Sequence, residues 1–564
     1  MAVVIIDSQE IEIGDDERLN GVQAAARAGV EIPHYCWHPG LSVVASCRMC
    51  LVETGARDAE TGDVVMLPKL VPACQSPARD GTVLITNSEK VEQSRAMVEE
   101  DLLINHPIDC PICDKAGECQ LQDYHFKYGR KERRADLRPF TSRRRDVGPT
   151  VTLFTDRCVM CTRCVRFTRE ISGTAELMVR DRGSSEEIDI FPGFPLENKL
   201  AGNVVDLCPV GALGDKDFLY QQRVWFMKRH EGVCTGCSTG CSIHVEENQD
   251  RVYRLKPREN PYVNGWWMCD EGRYGFHYVH REDRLVGSQR RVTRSDDNGD
   301  GAGHEVPMYD NVEWQPLVED LKKRLDNARR LAAVVSPHLS VEEAYLLAKL
   351  VRSIDAEAVL AIGPVPVEGG DETFSGGFTI RAEKCPNRRG VELVLSHFSD
   401  RVLSFDELLD QASELGVRTV WATGGYPKPW IDDETASRLD DVDLLIVQDI
   451  FASPLWARAD YRLPGVAFAE RAGSYVNHCD RLQTADWAVR PPAGSRVEGS
   501  VYWQMLGMSG LYRPQRVLDE IAADVPAFAM AAGKIPRVGV DLRLNQLSEA
   551  VSSESGTTET GATC

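Results

Sequence analysis

The chain has 564 residues, a formal charge of −21 at pH 7 and 18 cysteines, and its 43% hydrophobic and 27% charged residues are an ordinary globular balance, enough for roughly three or four domains with cores of their own. The acidity argues against nucleic acid as a partner, because phosphate binding needs a basic face. No apolar run reaches the ~18–20 residues that span a bilayer. Met1 leads straight into Val3-Val4-Ile5-Ile6 without a basic n-region, so no secretory signal is expected and the cysteines read as metal ligands rather than disulfides.

Residues 1–87 alternate like strands, VVIID and EIEIG around the turn Ser8-Gln9, with VVML and TVLIT later. A helix is expected over 17–28, its first turn made acidic by Asp15, Asp16 and Glu17. Strands, a helix and more strands match a small β-grasp domain. Its long loop carries Cys36, Cys47 and Cys50, with Cys74 further on. Thiolates bind iron as soft anions, and a Cys-x2-Cys pair lets one turn clamp one metal. A [2Fe–2S] centre needs four such ligands; a zinc site on the same four thiolates is the alternative. His34 and His38 flank Cys36 and read as loop histidines.

A helix over 88–105 delivers the chain to His106, Cys110, Cys113 and Cys119, either a [4Fe–4S] site with one imidazole ligand or a zinc knuckle of three thiolates and an imidazole. A neutral imidazole in place of a thiolate removes one negative charge and should raise such a cluster's potential, as in Rieske centres. The basic stretch 127–146, KYGRKERRADLRPFTSRRRD, reads as a solvated linker or as a docking surface for an acidic partner. Cys158, Cys161 and Cys164 then form the Cys-x2-Cys-x2-Cys run of a ferredoxin [4Fe–4S] site, with Cys208 of DLCPVGAL as fourth ligand. Cys234, Cys237, Cys241 and Cys269 suit a further [4Fe–4S] cluster or zinc in a small β-rich unit (SIHVEEN, RVYRLKP), with Trp266, Trp267 and Tyr274 as packing around it.

Residues 283–311 look like a polar linker. DDNGDGAGHE lacks the ligand offsets of a calcium loop. From there the character changes. LAAVV, AVLAI, VRTVWAT and DLLIVQ are strand-like, with helices expected over 341–353 and 405–415, the pattern of an α/β domain with a mostly parallel sheet. No GxGxxG fingerprint is present, so nucleotide binding has little support. The tail 547–564, ending in Cys564, is low-complexity.

SCRMCLVE with PKLVPAC, NHPIDCPICDKAGECQLQD, TDRCVMCTRCVRF and DLCPVGAL, in this order, resemble the G subunit, the large peripheral iron–sulfur subunit, of proton-translocating NADH:quinone oxidoreductase, respiratory complex I. SPHLSVEEAYLLAKLVR, ATGGYPKPW and ADYRLPGVAFAERAGSYVN look like its C-terminal region, which is similar to molybdopterin oxidoreductases. The resemblance implies an α+β and α/β multidomain chain: a [2Fe–2S] ferredoxin-type domain over 1–87, a [4Fe–4S] domain with one histidine and three cysteine ligands over 88–126, a ferredoxin-like [4Fe–4S] domain over 127–226, a [4Fe–4S] domain of molybdopterin-oxidoreductase type over 227–283, and a degenerate molybdopterin-oxidoreductase-like α/β domain without molybdenum over 305–546.

It also implies one [2Fe–2S] cluster on Cys36, Cys47, Cys50 and Cys74. Three [4Fe–4S] clusters follow, on His106, Cys110, Cys113 and Cys119, on Cys158, Cys161, Cys164 and Cys208, and on Cys234, Cys237, Cys241 and Cys269, the last being an extra cluster that only some members carry, off the main route. Electrons would come from a flavoprotein subunit holding FMN and the NADH site. They would reach the [2Fe–2S] centre, then the Cys158 group, then the His106 group, and leave to a ferredoxin-like subunit with two [4Fe–4S] clusters towards quinone. The chain alone would hold no complete active site and no molybdopterin. Other peripheral-arm subunits would hold it at the cytoplasmic face of a bacterial inner membrane. Two features depart from the pattern: GARDAETGD lengthens the gap before Cys74, and the region after Cys269 is short for a molybdenum enzyme. The rival readings are a subunit of a NAD-linked formate dehydrogenase, for which Cys385 is the one plausible molybdenum ligand, an iron–iron hydrogenase, which would need further clustered cysteines where only the scattered Cys385, Cys479 and Cys564 remain, and a zinc scaffold on the same sixteen ligands.

Overall fold

Alternation in β1 (Ala2–Ile6) and β2 (Gln9–Ile13) puts Val4, Ile6 and Ile13 on one covered face, and this hairpin begins the fold seen in the computed structural model. The structure describes residues 2–58, 60–132, 134–135, 143–296, 304–326 and 328–544. The chain divides into two compact units, one of residues up to Met227 together with Phe374–Phe378, the other of Lys228–Thr373 and the residues from Thr379 onward.

In the first unit, α1 (Gly21–Arg27) packs Val22, Ala24 and Ala25 onto the β1 face. The helix starts later than the expected 17–28. Asn20 accepts from the Gln23 amide while the Gln23 side chain takes the Asn20 amide, a capping box that fixes the start there. Glu17 is used otherwise: it accepts from the Gly14 amide and pairs with Arg27. β3 (Leu51–Arg57), β4 (Val64–Met66), β5 (Val71–Pro72) and β6 (Thr82–Ile85) complete a sheet of order β2-β1-β6-β3-β4, with β5 beside β3. β1 and β6 run parallel and the other pairs antiparallel, a β-grasp arrangement.

α2 (Glu89–Asn105) begins at the Ser88 cap, bearing out the helix expected over 88–105, and α3 (Gln120–Tyr128) begins at Cys119. Where it is described, part of the basic stretch is ordered and ion-paired. β7 (Arg144–Asp146) pairs with β8 (Val151–Phe154). Arg130 and Arg134 pair with Glu100, Lys127 with Glu31, Arg143 with Asp156 and Glu187, and Arg145 with Glu187 and Asp189. These cations are neutralised within the unit; residues 136–142 lie outside the described residues. α4 (Arg163–Glu170), the hairpin of β9 (Leu177–Arg180) with β10 (Glu187–Ile190), α5 (Asn203–Leu207) and β11 (Leu213–Asp215), which joins β8, complete this unit.

The second unit opens with an antiparallel sheet of β12 (Lys228–Val233), β13 (Ser242–Asn248) and β14 (Arg251–Pro257), then the short α6 (Asp270–Tyr274). The expected linker 283–311 is instead a hairpin. β15 (Gln289–Asp296) pairs with β16 (His304–Asn311), and β15 adds to the edge of a large sheet. Its polar composition suits an edge strand, where charged side chains discourage further pairing. Residues 297–303, most of the calcium-like run, lie outside the described residues, as does the 547–564 tail.

α7 (Trp314–Leu325), β17 (Leu331–Val335), α8 (Val341–Ile354) and β18 (Val359–Ile362) follow. Next come the small hairpin strands β19 (Glu372–Thr373) and β20 (Thr379–Ile380), α9 (Arg388–Phe398), β21 (Leu403–Ser404), α10 (Phe405–Gln411) and β22 (Thr419–Thr423). α11 (Asp433–Ser437), β23 (Leu444–Asp449), α12 (Pro454–Arg458) and β24 (Tyr461–Pro464) close the sheet, whose order is β16-β15-β24-β23-β22-β17-β18-β21. From β24 to β21 every pair is parallel. The chain starts centrally at β17, winds outward through β18 to β21, returns to β22 and winds outward the other way. That is the doubly wound α/β plan, with its switch point between β17 and β22. Alternation serves two covered faces: Leu331, Ala333 and Val335 enter one core with α7 and α8, Ala332 and Val334 the other with α10 to α12. β25 (Gly473–Val476), β26 (Arg481–Ala485) and β27 (Val540–Asp541) form a last sheet beside α13 (Glu498–Met505) and α14 (Pro514–Asp524).

Candidate metal centres

All fifteen cysteines of the four groups carry free thiols, although many stand close together. At the first group Cys36, Cys50 and Cys74 are buried and Cys47 is half-buried. The loop doubles back because Ala45 (φ 51°) and Arg48 (φ 59°) adopt the left-handed conformation. That fold points the Ser46 and Cys47 amides at the Cys36 sulfur, which also receives the Cys47 and Cys74 thiols, so Cys36 is pushed down and ionises first. Cys74, hydrogen-bonded to Cys36 and Cys50, is pushed up in turn. The lengthened gap before Cys74 does not displace it. Its residues form the β3–β4 hairpin, whose turn is held by Asp58 accepting from the Glu60 and Thr61 amides. His34 and His38 bind their own loop, His34 Nδ1 at 2.8 Å from the Ile32 carbonyl and His38 Nδ1 accepting from the Gly40 amide.

The second group sits where α2 ends and α3 begins. His106 is the C-cap of α2, and Cys119 the N-cap of α3. Burial, with the Arg157 guanidinium nearby, presses His106 down to about 4, so the imidazole is neutral and fit to ligate at pH 7. Arg157 is itself held by Asp109 at 2.8 Å. Burial lifts Cys119 to about 11 against the Gln122 and Leu121 amides. A Cβ on Gly211 would overlap the Cys113 sulfur, so only glycine lets that backbone pass.

At the third group Met160 (φ 47°) and Thr162 (φ 57°) are left-handed and wrap the loop around its sulfurs. The Met160 amide lies 3.3 Å from the Cys158 sulfur, while the Arg163 and Val165 amides serve Cys161 and Cys164. Cys208 caps α5. At the fourth, the Cys234 amide donates to the Cys241 carbonyl at 2.8 Å, the Gly236 amide serves the Cys234 sulfur, and the Gly272 amide lies 3.4 Å from the Cys269 sulfur. A Cβ on Gly272 would stand 2.7 Å from the Cys234 sulfur and 3.6 Å from that of Cys269.

These donor sets fit iron–sulfur clusters. Each is rich in soft thiolates and takes amide hydrogen bonds to sulfur, and at the second and fourth groups glycine leaves a cradle that a side chain would fill. Burial raises several of the thiols, among them Cys234 to about 12, a cost that cationic metal reverses by deprotonating its ligands. Cys385 stands apart, its sulfur 3.7 Å from Glu383 Oε1.

Sequence patterns did not reveal what joins the first three groups. Arg166 is 8% exposed and donates to the carbonyls of Ser42 and Cys36 and, at 3.3 Å, of Cys161. Arg163, also buried, donates to the Trp37 carbonyl at 2.6 Å and the Leu207 carbonyl at 3.2 Å. Two guanidinia thus tie the Cys36 loop to the Cys161 and Cys208 segments. On the other side the Gln120 amide, next to Cys119, donates to the Pro209 carbonyl, next to Cys208, at 2.9 Å.

Five family models match the chain: a 2Fe-2S iron-sulfur cluster binding domain over residues 4–89, the NADH-ubiquinone oxidoreductase-G iron-sulfur binding region over 95–134, the ferredoxin-like domain of NADH-quinone oxidoreductase subunit 3 over 148–214, the molybdopterin oxidoreductase Fe4S4 domain over 227–281 and molybdopterin oxidoreductase over 395–506. Among curated proteins, the NADH-quinone oxidoreductase G subunit of Rickettsia felis is 31% identical over 361 residues, 62% of this chain and 48% of that protein. The NADH-ubiquinone oxidoreductase 75 kDa subunit of Reclinomonas americana is 32% identical over 65% of this chain and 50% of that protein. The chain thus spans about half the length of these relatives. A chain in the crystal structure of an NAD+-reducing [NiFe]-hydrogenase in the H2-reduced state is 26% identical, covering 40% of this chain and 91% of that one, with a TM-score of 0.33.

Proposed function

We infer that this chain, a relative of the G subunit of NADH-quinone oxidoreductase, is the iron–sulfur subunit that relays electrons from an FMN-containing, NADH-oxidising flavoprotein towards quinone. The clusters supply one-electron carriers: a [2Fe–2S] cluster on Cys36, Cys47, Cys50 and Cys74, and [4Fe–4S] clusters on the His106, Cys158 and Cys234 groups. The protein's part is to hold these ligands and to set the order of the sites. The observation that carries the reading is the pair of backbone bridges: Cys36 carbonyl to Arg166 to Cys161 carbonyl, then Pro209 carbonyl to Gln120 amide. They support the order Cys36 group, Cys158 group, His106 group.

The surfaces at the two ends support docking of partners. Val43 and Val44, beside the Cys47 turn, are 45% and 44% exposed, which suits entry from the flavoprotein. Ile108 and Ile112, on either side of the exposed Cys110, are 79% and 58% exposed, and Trp225 and Phe226 nearly as open as Ile112. His106 and Cys110 also line a cavity of about 340 Å³. Apolar surface of this kind suits exit to a two-[4Fe–4S] ferredoxin-like subunit. No described helix is long and apolar enough to cross a membrane. Attachment to the cytoplasmic face of a bacterial inner membrane would therefore come through other peripheral-arm subunits.

Metal analysis tests the reading. Anaerobically purified protein should hold about fourteen irons per chain, the sum of one two-iron and three four-iron clusters, with negligible zinc and molybdenum. Stoichiometric zinc without iron would sink electron transfer; stoichiometric molybdenum would move the assignment to a formate dehydrogenase.

A further inference from the structure

The covered face of α2 is unusual in being charged. Val91, Arg95 and Glu99 are its buried residues, and their spacing of four puts them on one side of the helix. Two anchors fix that side against the first thiolate group. Near the start of α2, Lys90 pairs with Glu53 at 3.8 Å and its Nζ donates to the Pro68 carbonyl at 2.9 Å; Glu53 lies in β3, just after Cys50. Further along, Glu99 accepts from the hydroxyl of Tyr35, the neighbour of Cys36. Arg95 stands between these anchors and so faces the segments that carry Cys36 and Cys50.

Arg95 is 4% exposed, and its Nε and Nη2 are enclosed without a hydrogen-bond partner among the described residues. A guanidinium stays protonated inside a protein, and burying it unpaired is strongly unfavourable. Stacking offsets part of this, for the guanidinium carbon lies 5.0 Å over the Tyr128 ring of α3. A ring face cannot neutralise the charge.

The carboxylates around Arg95 are engaged elsewhere. Asp7 accepts from the Thr86 amide at 2.6 Å and from the Thr86 hydroxyl, and Glu92 is exposed on the preceding turn. One oxygen of Glu99 takes the Tyr35 hydroxyl; the other, Oε2, is enclosed without a partner among the described residues. Burial holds Arg95 below the usual guanidinium range against the pull of Tyr128, Asp7, Glu92 and Cys50. Of these, Cys50 is a candidate cluster ligand. In a [2Fe–2S] site four thiolates and two sulfides outweigh two ferric ions, and the net negative charge grows by one when an electron arrives. An enclosed cation acts on such a charge through space, little screened by salt.

We propose that Arg95 sets the potential of the electron entry site: its enclosed, unbonded charge favours the reduced form of the cluster held by Cys36, Cys47, Cys50 and Cys74, which takes one electron from the flavoprotein. This rests on the relay reading above and assigns a residue that no cysteine spacing points to. The test is EPR-monitored potentiometry on the anaerobic, iron-loaded full chain. Arg95→Met keeps an apolar stem against Tyr128 and removes the charge, whereas Arg95→Lys keeps the charge and removes the planar fork.

With the cell poised at the unaltered protein's [2Fe–2S] midpoint, Arg95→Met should lower the ratio of reduced to oxidised cluster at least roughly threefold, or about 30 mV at about 59 mV per tenfold. Arg95→Lys should stay within about twofold of the unaltered ratio. A smaller fall, or a rise, in Arg95→Met with its [2Fe–2S] signal intact overturns the proposal and leaves the relay standing. A larger fall in Arg95→Lys overturns it too, because packing rather than charge would then be at work. Should Arg95→Met lose the signal, Arg95→Lys decides: a retained signal with its ratio inside that margin supports the role of the charge, and a lost signal or a larger fall overturns it. An unaltered protein without any [2Fe–2S] signal would overturn the relay reading itself, and this proposal with it.

Discussion

Replacing Arg166 with methionine keeps the length of the side chain and removes its charge and its fork of donors. The guanidinium reaches the carbonyls of Cys36 and Cys161, the latter at 3.3 Å. Four bonds further along each residue stands its sulfur, so the charge lies on the order of 8 Å from both ligand sets. At an effective dielectric of about 20, a unit charge at that separation is worth ~2 kcal/mol, or ~90 mV on a one-electron couple. A reduced cluster carries one more negative charge, which the guanidinium stabilises. Arg166→Met should therefore lower the midpoint potentials of both the Cys36 and the Cys158 clusters by up to ~90 mV. Arg166→Lys keeps the charge and should shift them by ~20 mV or less, while losing the two-sided clamp. Anaerobic EPR-monitored potentiometry on protein of full iron content reads both midpoints. Potentials that stay put or rise in Arg166→Met would refute the electrostatic account. A drop confined to one cluster would refute the placement of Arg166 between the two.

Three further outcomes are expected. His106→Cys adds a negative charge to its cluster and should lower that midpoint; an unchanged or raised value would defeat the charge argument. Cys234→Ala should remove about four irons and one EPR signal while leaving part of the NADH–quinone activity in the assembled complex; complete loss would place that cluster on the main route. Glu99 is fully enclosed on α2 beside the Tyr35 hydroxyl, and burial lifts its carboxyl from 4.5 to about 7. Because the folded value is the higher one, the folded state binds the proton more tightly. Its stabilising contribution is full below pH 4.5 and is lost as pH rises to about 7. Glu99→Gln should therefore remove ~3 kcal/mol of stability loss between pH 5 and pH 8, seen as a flatter pH dependence of the urea midpoint; parallel curves would count against it.

Much of the fold was legible because its signals are local. Ser88 before α2 and Ser340 with Glu343 at the start of α8 announce those helices, and the cap geometry shows why. The apolar runs LAAVV and DLLIVQ became β17 and β23, strands covered on both faces. Where reading failed, a competing local contact or the tertiary setting decided. Asn20 took the cap from the acidic run, and α10 stopped at Gln411 because the chain turns through left-handed Gly416 (φ 65°) into β22. The 289–311 segment looked like a linker because an edge strand is polar by necessity.

The candidate ligands were legible for a different reason: cysteine spacing is itself a geometric statement, as the left-handed residues at Ala45, Arg48, Met160 and Thr162 now show in the backbone. What ties one ligand group to the next left no such trace. The partners of Arg163 and Arg166 are mostly main-chain oxygens 124 to 130 residues away, and a carbonyl has no letter in the sequence. In Cys161-Thr162-Arg163-Cys164 an arginine reads as surface charge, yet here the guanidinium is drawn inside because Trp37 and Leu207 turn their carbonyls towards it. Gly211 is equally silent, being required only because the Cys113 sulfur lies where its Cβ would stand. The order of the sites therefore rests on backbone atoms that any residue supplies, and on a few side chains whose replacement looks mild in sequence. Arginine to lysine at 163 or 166 preserves charge and abolishes a planar fork that serves two loops at once, so it should disturb the coupling between sites more than the ligands themselves.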